Sequence, residues 1–251
     1  MEKKSTYFLS DLHLGASYME NSRDNELRVV AFLDSIKHKA DSIYLVGDIL
    51  DYWYEYKYVV PKGYIRFLGT LAHLTDNGVK ITWITGNHDI WLFGYLSKEL
   101  GIEIIDSPVI LREIGSKKFI LSHGDRIGKS DMSFKLISSL FRNKICQKIF
   151  ASIHPRWTVP FAHNWSSSSR CSHMVAEEND TILRDIVIED SKEIINQYPD
   201  IRYIIMGHHH IMMDKKISGT NVDVIVLGDW IDKFSYALFD GKEIKLLRYL
   251  D

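Results

Sequence analysis

The sequence contains few cysteines, few prolines and no long hydrophobic run. Two cysteines, Cys146 and Cys171, among 251 residues cannot form a disulfide framework, so a reducing, intracellular compartment is expected. No apolar run reaches the roughly 18–20 residues that cross a membrane, and the charged start MEKKSTYFLSD contains no secretory signal. Only 5 prolines and 15 glycines, with 45% hydrophobic and 25% charged residues, exclude a disordered or collagen-like chain. The composition therefore predicts a soluble globular protein.

Short apolar runs alternate with helix-like segments along much of the chain. The runs of strand length are Tyr7–Ser10, Ile43–Val46, Ile81–Thr85, Phe119–Ser122, Tyr203–Met206 and Val222–Leu227. Helices are predicted over Asn25–Lys39 and over Pro61–Asn77. The tail consists of strand-like runs with short turns: Lys215–Gly219, Asn221–Gly228, Phe234–Phe239 and Glu243–Tyr249, the last two joined at Asp240-Gly241. This pattern predicts two packed sheets with helices outside.

Residues 126–174 differ from the rest in charge and in pattern. They contain eight basic residues and one acidic residue, a net charge of +7, which leaves −9 for the rest of a chain whose total is −2. Their apolar residues recur every three or four positions, as on one face of an amphipathic helix: Phe134, Ile137, Phe141, Ile145, Ile149 and Ile153. We therefore predict a helical insertion over 126–174 that covers one end of a core formed by 1–125 and 175–251.

Polar residues follow the predicted strands at the points where the strands end. These residues are Asp11 and His13, then Asp48, then Asn87 and His88, then His123, and finally His208 and His210. Ligand sites of open α/β sheets form at this edge. Carboxylate, amide and imidazole donors without cysteine suit Mn, Fe or Zn at a reactive centre rather than structural zinc. The set is too large for one ion, and it predicts two divalent ions that share a bridging carboxylate, as suits an in-line phosphoryl displacement.

The order of these motifs resembles that of the calcineurin-like metallophosphoesterases. The matching segments are Asp11-Leu12-His13, Gly47-Asp48, Gly86-Asn87-His88-Asp89, His123-Gly124-Asp125 and Gly207-His208-His209-His210. The resemblance implies a four-layer α/β/β/α sandwich and two bound metals, most simply Mn²⁺. One metal would be held by Asp11, His13, Asp48 and His210, and the other by Asp48, Asn87, His123 and His208, with Asp48 bridging. His209 is expected to point away from the metals.

A narrower resemblance, to the UDP-2,3-diacylglucosamine hydrolase family, covers nearly the whole chain. It is carried by the basic insertion and by Ser10-Asp11-Leu12-His13-Leu14, Leu45-Val46-Gly47-Asp48, His123-Gly124-Asp125 and Val226-Leu227-Gly228-Asp229-Trp230. It implies cleavage of a nucleotide-linked acylated sugar to UMP and 2,3-diacylglucosamine 1-phosphate in lipid A biosynthesis, with the insertion as a lid over the acyl chains. The residues expected to contact substrate are Asn87, His88, Asp131, Asn164, Ser166, Ser169 and Arg170.

The basic, amphipathic insertion also suits an anionic surface. We therefore expect a cytoplasmic protein that associates peripherally with the inner membrane. No nucleic acid and no obligate protein partner are expected.

The chain departs from the better-known branch of that family at two positions. It has Gly-Asn-His-Asp, with His88, where that branch has Gly-Asn-Arg-Asp, and it has Asp51 where that branch has Glu. In the wider superfamily a histidine at this place pairs with an aspartate, so the resemblance implies a catalytic pair of His88 and Asp51. His88 would then supply positive charge beside the transferring phosphoryl group and, unlike arginine, could also donate a proton.

Two other functions fit parts of the pattern. Another phosphodiesterase or phosphatase of the superfamily would act on nucleotides, cyclic nucleotides or phosphoproteins, but a small soluble substrate leaves the apolar insertion unexplained. A nuclease or a nucleic-acid-binding module would use the charge of the insertion for phosphate contacts. Aliphatic residues at helical spacing favour a lipid surface over a platform for base stacking.

Overall fold

Two sheets form the centre of the computed structural model, which describes residues 5–19, 21–128, 132–162 and 180–250, with side chains of the third range described from 136 onwards. The strands in chain order are β1 (Ser5–Leu9), β2 (Ala40–Val46), β3 (Lys80–Ile84), β4 (Glu103–Ile105), β5 (Ile110–Ile114), β6 (Lys117–Ser122), β7 (Tyr203–Met206), β8 (Met212–Lys216), β9 (Asp223–Leu227), β10 (Ser235–Phe239) and β11 (Ile244–Arg248). Six strands form one sheet in the order β11-β10-β1-β2-β3-β4, and five form the other in the order β5-β6-β7-β9-β8.

Parallel strands occupy the centre of each sheet. Strands β1 to β4 run parallel in the first sheet, and β6, β7 and β9 run parallel in the second. The outer strands β10, β11, β5 and β8 pair antiparallel. The carboxyl ends of seven parallel strands therefore lie at one end of the molecule, and the chain makes its polar turns there.

Helices cover the outer face of each sheet. The helices in chain order are α1 (Ser22–Ile36), α2 (Ile65–Asp76), α3 (Tyr95–Leu100), α4 (Met132–Arg142), α5 (Lys144–Ser152), α6 (155–162) and α7 (Asp180–Gln197). Residues of α1, α2 and α3 form one core with the first sheet, and residues of α7 form another with the second sheet. The two sheets enclose a third core between them, which includes the stacked rings of Phe8 and Phe119. These layers confirm the predicted α/β/β/α sandwich.

Helices α4, α5 and α6, here called the helical segment, lie against the turns that follow β2 and β3. Tyr54 Oη donates to the carbonyl of Gln147 over 2.7 Å, and Trp91 Nε1 donates to the carbonyl of Phe141 over 2.9 Å. An apolar cavity of about 210 Å³ lies there, lined by Trp91, Leu140, Phe141, Cys146, Gln147, Ile149, Phe150 and Ile153. Within the described ranges, no helix combines the length and the apolar character that crossing a bilayer requires.

The prediction of one continuous amphipathic helix across Phe134–Ile153 is wrong at Asn143. Helix α4 ends at Arg142. Asn143 Oδ1 then accepts the backbone N–H groups of Ile145 and Cys146, at 2.9 and 3.3 Å, and helix α5 begins. An asparagine that caps two free N–H groups begins a new helix, because its own backbone is extended rather than helical. The apolar spacing continues across this break, so periodicity alone did not reveal it.

The observed ends of two other elements also differ from the predicted ones. Helix α2 begins at Ile65 rather than near Pro61, because Gly63 and Tyr64 both have positive φ, which a helix cannot contain. Strand β8 ends at Lys216 instead of extending to Gly219, because a turn closed by the hydrogen bond from Ile217 N–H to the Val222 carbonyl follows it. Strands β4 and β5 and helices α3 and α7 had no predicted counterpart.

Candidate metal centre

The polar turns at the strand ends adopt an unusual backbone conformation. Seven non-glycine residues in the described part of the chain have positive φ, and five of them are predicted metal ligands: Asp11, His13, Asp48, His208 and His210, with φ between 43° and 68°. Such a conformation costs about 1–3 kcal/mol per residue and persists only where neighbouring structure holds it. Two cross-connections supply that support, from Asp11 N–H to the Gly47 carbonyl and from His13 N–H to the Asp48 carbonyl, both 3.0 Å.

Glycines precede the polar residues because the turns pack against one another. A side chain at Gly47 would collide with the His123 ring, and one at Gly207 would collide with Asp11 and Ser10. The recurrent Gly-Asp and Gly-His pattern therefore has a steric cause: only glycine lets the strand-end loops approach this closely.

One group of donors forms around Asp11. Ser10 Oγ and the backbone N–H of His208 donate to Asp11 Oδ2, at 2.6 and 2.9 Å, and fix the orientation of the carboxylate. The other oxygen, Oδ1, lies 3.2 Å from His210 Nε2 and 3.8 Å from His13 Nε2. The two imidazole Nε2 atoms are 3.2 Å apart. Asp11, His13 and His210 thus converge within the space that one metal ion would fill.

A second group forms around Asp48 and joins the first. Asp48 Oδ2 lies 3.2 Å from His123 Nε2 and 3.9 Å from His13 Nε2, so this oxygen faces both groups of donors. Its partner oxygen, Oδ1, accepts the backbone N–H of His88 over 2.9 Å. His208 converges with Asp48 and His123. Asp48 therefore has the position that a bridging carboxylate requires.

Buried donor atoms without hydrogen bonds test whether these residues fit a metal. Among the described residues, Asp11 Oδ1, Asn87 Oδ1 and His123 Nε2 are buried without a hydrogen-bond partner. His123 Nδ1 lies 2.9 Å from the Val46 carbonyl; donation there requires the proton on Nδ1 and leaves the lone pair on Nε2. Buried polar atoms without a partner are costly unless something binds them, and divalent cations at the two groups of donors would satisfy these atoms. The donor set fits a divalent metal.

The electrostatics of the site favour a cation. Burial opposes a charge on His13, but the neighbouring carboxylates of Asp11, Asp51 and Asp48 raise its pKa to about 10. Burial likewise opposes the charge of Asp48, yet His123 and His88 hold its pKa well below the usual value. Burial, together with the charge of His123, lowers the pKa of His208. Carboxylates that retain a proton on a buried imidazole will also attract a metal ion.

Asp51 and His88 lie beside these donors. His88 Nδ1 is 3.2 Å from the Asp51 carbonyl and 3.6 Å from its carboxylate Oδ1, and the same Oδ1 lies 3.5 Å from His13 Nδ1. Asp51 therefore faces two imidazoles rather than His88 alone. His88 Nε2 is 3.9 Å from Asp48 Oδ2, and its side chain is 14% exposed, so this ring lies at the border between the buried donors and solvent.

The remaining predicted site residues divide into two sets. Asn87 directly precedes His88 in the chain, and its Oδ1 atom is buried. The other predicted substrate contacts, Asp131, Asn164, Ser166, Ser169 and Arg170, lie outside the described residues, as does Cys171. His209 is absent from the convergent groups that the described residues form.

Three residues near the site had no role in the prediction, although two of them stand in motifs quoted above. Asp89 is fully buried; it accepts backbone N–H groups from Ile49 and Gly86 and so fixes two of the polar turns. Arg142 extends from α4 to the Gly86 carbonyl, at 3.4 Å. Asp229 is buried near His210. The sequence could have indicated Asp229, because Gly228-Asp229 follows a buried strand as Gly47-Asp48 does.

Comparisons with known proteins agree with this geometry. The family model described as calcineurin-like phosphoesterase matches residues 5–212. A UDP-2,3-diacylglucosamine hydrolase of Porphyromonas gingivalis is 38% identical over 97% of this chain and 97% of its own. Proteins of the same name from Nitrosococcus oceani and Aeromonas hydrophila are each 27% identical, over 90% and 96% of this chain and 87% and 97% of their own. The predicted family is confirmed: the chain belongs to the calcineurin-like phosphoesterases.

Proposed function

We propose that the protein hydrolyses the pyrophosphate bond of UDP-2,3-diacylglucosamine, giving UMP and 2,3-diacylglucosamine 1-phosphate for lipid A biosynthesis. The observation that carries this proposal is the apolar cavity next to a polar strand-end site. Phe141 lines the cavity, and its neighbour Arg142 contacts the Gly86 carbonyl, one residue before Asn87. A diphosphate joined to two acyl chains needs both environments side by side. The P. gingivalis relative, aligned over nearly its full length, bears the name of that hydrolase.

We assign two divalent ions, most simply Mn²⁺, to the two groups of donors. Asp11, His13, Asp48 and His210 would hold one, and Asp48, Asn87, His123 and His208 the other. When bound, such a pair lowers the pKa of an attacking water and neutralises charge on the pyrophosphate. The orphaned buried atoms Asp11 Oδ1, Asn87 Oδ1 and His123 Nε2 support this assignment.

We assign the charge-stabilising role to His88. Its Nε2 faces Asp48 while Nδ1 faces Asp51, so a proton on Nδ1 is held by Asp51 and Nε2 is directed towards the reacting groups. A protonated His88 would donate to a phosphoryl oxygen as negative charge accumulates. UMP or a sugar phosphate is already a good leaving group, so His88 need not transfer its proton. Substrate contacts are assigned to Asn87, His88, Asp131, Asn164, Ser166, Ser169 and Arg170.

We assign residues 126–174 to a lid over the acyl chains that also touches the membrane. The helical segment exposes large apolar side chains beside basic ones: Leu136 is 73% exposed, Ile145 69%, Ile149 61% and Trp157 70%. Lys144, Lys148 and Arg156 lie in the same segment. An exposed apolar surface with basic neighbours suits an anionic bilayer surface. The protein would then act at the cytoplasmic face of the inner membrane as a peripheral enzyme.

The test is the release of UMP from UDP-2,3-diacylglucosamine in detergent with Mn²⁺, with and without chelator. UDP-N-acetylglucosamine and bis-p-nitrophenyl phosphate are the parallel substrates. We expect chelator-sensitive UMP release that is confined to the acylated substrate. Hydrolysis of the nitrophenyl ester alone would contradict the lipid substrate and direct the search towards nucleotides or nucleic acid. Co-sedimentation with phosphatidylglycerol vesicles but not phosphatidylcholine vesicles would support the membrane assignment, and equal recovery with both would contradict it.

A further inference from the structure

The loop after β9 contains a buried carboxylate that the proposed reaction leaves without a role. Asp229 is fully buried, and its Oδ1 accepts the backbone N–H groups of Ile231, Asp232 and Lys233, at 2.9, 2.8 and 3.1 Å. Its Oδ2 accepts Lys233 Nζ over 2.8 Å. Four donors therefore fix this side chain, and the loop holds it in one orientation.

The same loop contacts the Asp11 group of donors at two points. The backbone N–H of Trp230 donates to the Asp11 carbonyl over 3.1 Å, which supports a residue whose φ is 54°. Asp229 Oδ2 lies 3.8 Å from His210 Nδ1. The loop thus connects the first and the last ligand of one proposed metal site, 199 residues apart in the chain.

The orientation of the His210 ring shows which of its two nitrogen atoms faces Asp229. His210 Nε2 faces Asp11 Oδ1 and His13 Nε2, each at 3.2 Å, so Nε2 is the atom directed to the metal. The proton of a neutral imidazole must then be on Nδ1, which faces Asp229. A carboxylate beside the distal ring nitrogen fixes the tautomer of a ligating histidine and makes it a stronger donor.

We propose that Asp229 is a positioning residue for the metal held by Asp11, His13, Asp48 and His210. It acts through His210 electrostatically, because its carboxylate 3.8 Å from Nδ1 favours the tautomer with the proton on that atom, and the Trp230 N–H fixes Asp11 from the same loop. Lys233 compensates the buried charge of Asp229 when His210 is neutral. This inference rests on the proposed dimetal function, because it concerns one of the two sites assigned there.

The test is a calorimetric titration of Mn²⁺ into chelator-treated, dialysed protein, for wild type, Asp229→Asn and a control, Asp240→Asn. Asparagine keeps the Oδ1 acceptor and removes the carboxylate charge. Asp240 is a matched control, because its Oδ1 also accepts two backbone N–H groups in a turn, at 2.8 and 3.0 Å. We expect Asp229→Asn to weaken one of two Mn²⁺ sites about 10–100-fold, the usual cost of losing such a partner, with the other site unchanged. Asp240→Asn should match wild type.

The possible outcomes separate the inference from the proposed function. Two wild-type sites that are both retained in Asp229→Asn would overturn the inference and leave the dimetal proposal standing. Equal weakening of both sites, with a lower melting temperature of the metal-free variant, would mean a merely structural role and would also overturn it. A wild type that binds fewer than two ions would overturn both.

A second measurement uses only the wild-type protein, so it does not depend on whether the Asp229 variant folds. In wild-type protein labelled with ¹⁵N-histidine and loaded with diamagnetic Zn²⁺, we expect NMR to find the His210 proton on Nδ1. An unprotonated Nδ1 in the loaded protein would overturn the inference.

Discussion

The strand-end site and the helical segment are built in opposite ways. Asp11, Asp48 and His123 are at most 2% exposed, and each is fixed by neighbouring turns of both sheets. Helix α5 has no buried residue, and Ile145 and Ile149 are more than 60% exposed. A rigid, buried arrangement suits chemistry that requires exact placement of charge, whereas an exposed apolar surface suits recognition of lipid. Under the proposed function, we therefore assign the reaction type to the core and the choice of substrate to the helical segment.

The largest effect is expected when Asp48 is replaced. Asp48→Asn removes the charge that faces both groups of donors, so activity should fall for every substrate, and by more than the roughly 10²–10³-fold expected for loss of the charge on His88. Hydrolysis of acylated substrate and of bis-p-nitrophenyl phosphate, with the Mn²⁺ content per chain, measures this effect. His209→Ala is the matched control from the same polar edge, and it should retain wild-type values. Loss of activity on only one substrate would contradict the assignment of the reaction to the core and of substrate choice to the helical segment.

Replacement of His88 should be the next largest effect. His88→Gln removes the positive charge beside the reacting phosphoryl group, and the turnover number should fall by about 10²–10³-fold. His88→Arg restores a charge without an easily transferred proton, so it should recover most of that loss on the pyrophosphate substrate. Steady-state kinetics of both variants measures the recovery. An Arg variant as slow as the Gln variant would mean that proton transfer, not charge, is the contribution of His88.

Changes in the helical segment should affect only the acylated substrate. Ile149→Glu places a charge at the apolar cavity, and we expect a loss of about tenfold in kcat/KM, the effect of losing one to two kcal/mol of apolar contact. Activity on bis-p-nitrophenyl phosphate should not change. Ile182→Glu on α7 is the matched control, because Ile182 is also an exposed isoleucine, at 56%. Equal losses with both substrates would contradict a role in substrate choice.

A smaller effect concerns the stability of the metal-free protein. The folded pKa of His13 is about 10, above the 6.5 of an unperturbed histidine. Stabilisation from its protonation is therefore complete below about pH 6.5 and is lost as the pH rises towards 10. The melting temperature of chelator-treated protein should decline across this window, and added Mn²⁺ should reduce the decline because it replaces the proton. Identical pH profiles with and without metal would contradict this competition.

Much of the fold and of the site could be predicted from the sequence, for identifiable reasons. Strands β1, β2, β3, β6, β7 and β9 are short apolar runs, and the polar residues after them meet because parallel strands end at one edge. The break at Asn143 was invisible to periodicity, since apolar spacing continues across it. The contacts of Arg142 and Asp229 depend on how distant loops pack, and nothing local in the sequence specifies such packing. Asp229 follows a glycine at the end of a strand, as Asp48 does, but no histidine or other motif residue beside it marked this turn as part of a metal site.

The most direct test of the central claim is an anomalous-scattering measurement on crystals grown with Mn²⁺. Data collected at the manganese edge should give two peaks about 3.5–4 Å apart, the spacing typical of two-metal hydrolases, one on each side of the Asp48 carboxylate. The first peak should lie among Asp11, His13 and His210, and the second among Asn87, His123 and His208. A single peak, or a peak distant from Asp48, would contradict the dimetal centre and the mechanism that depends on it.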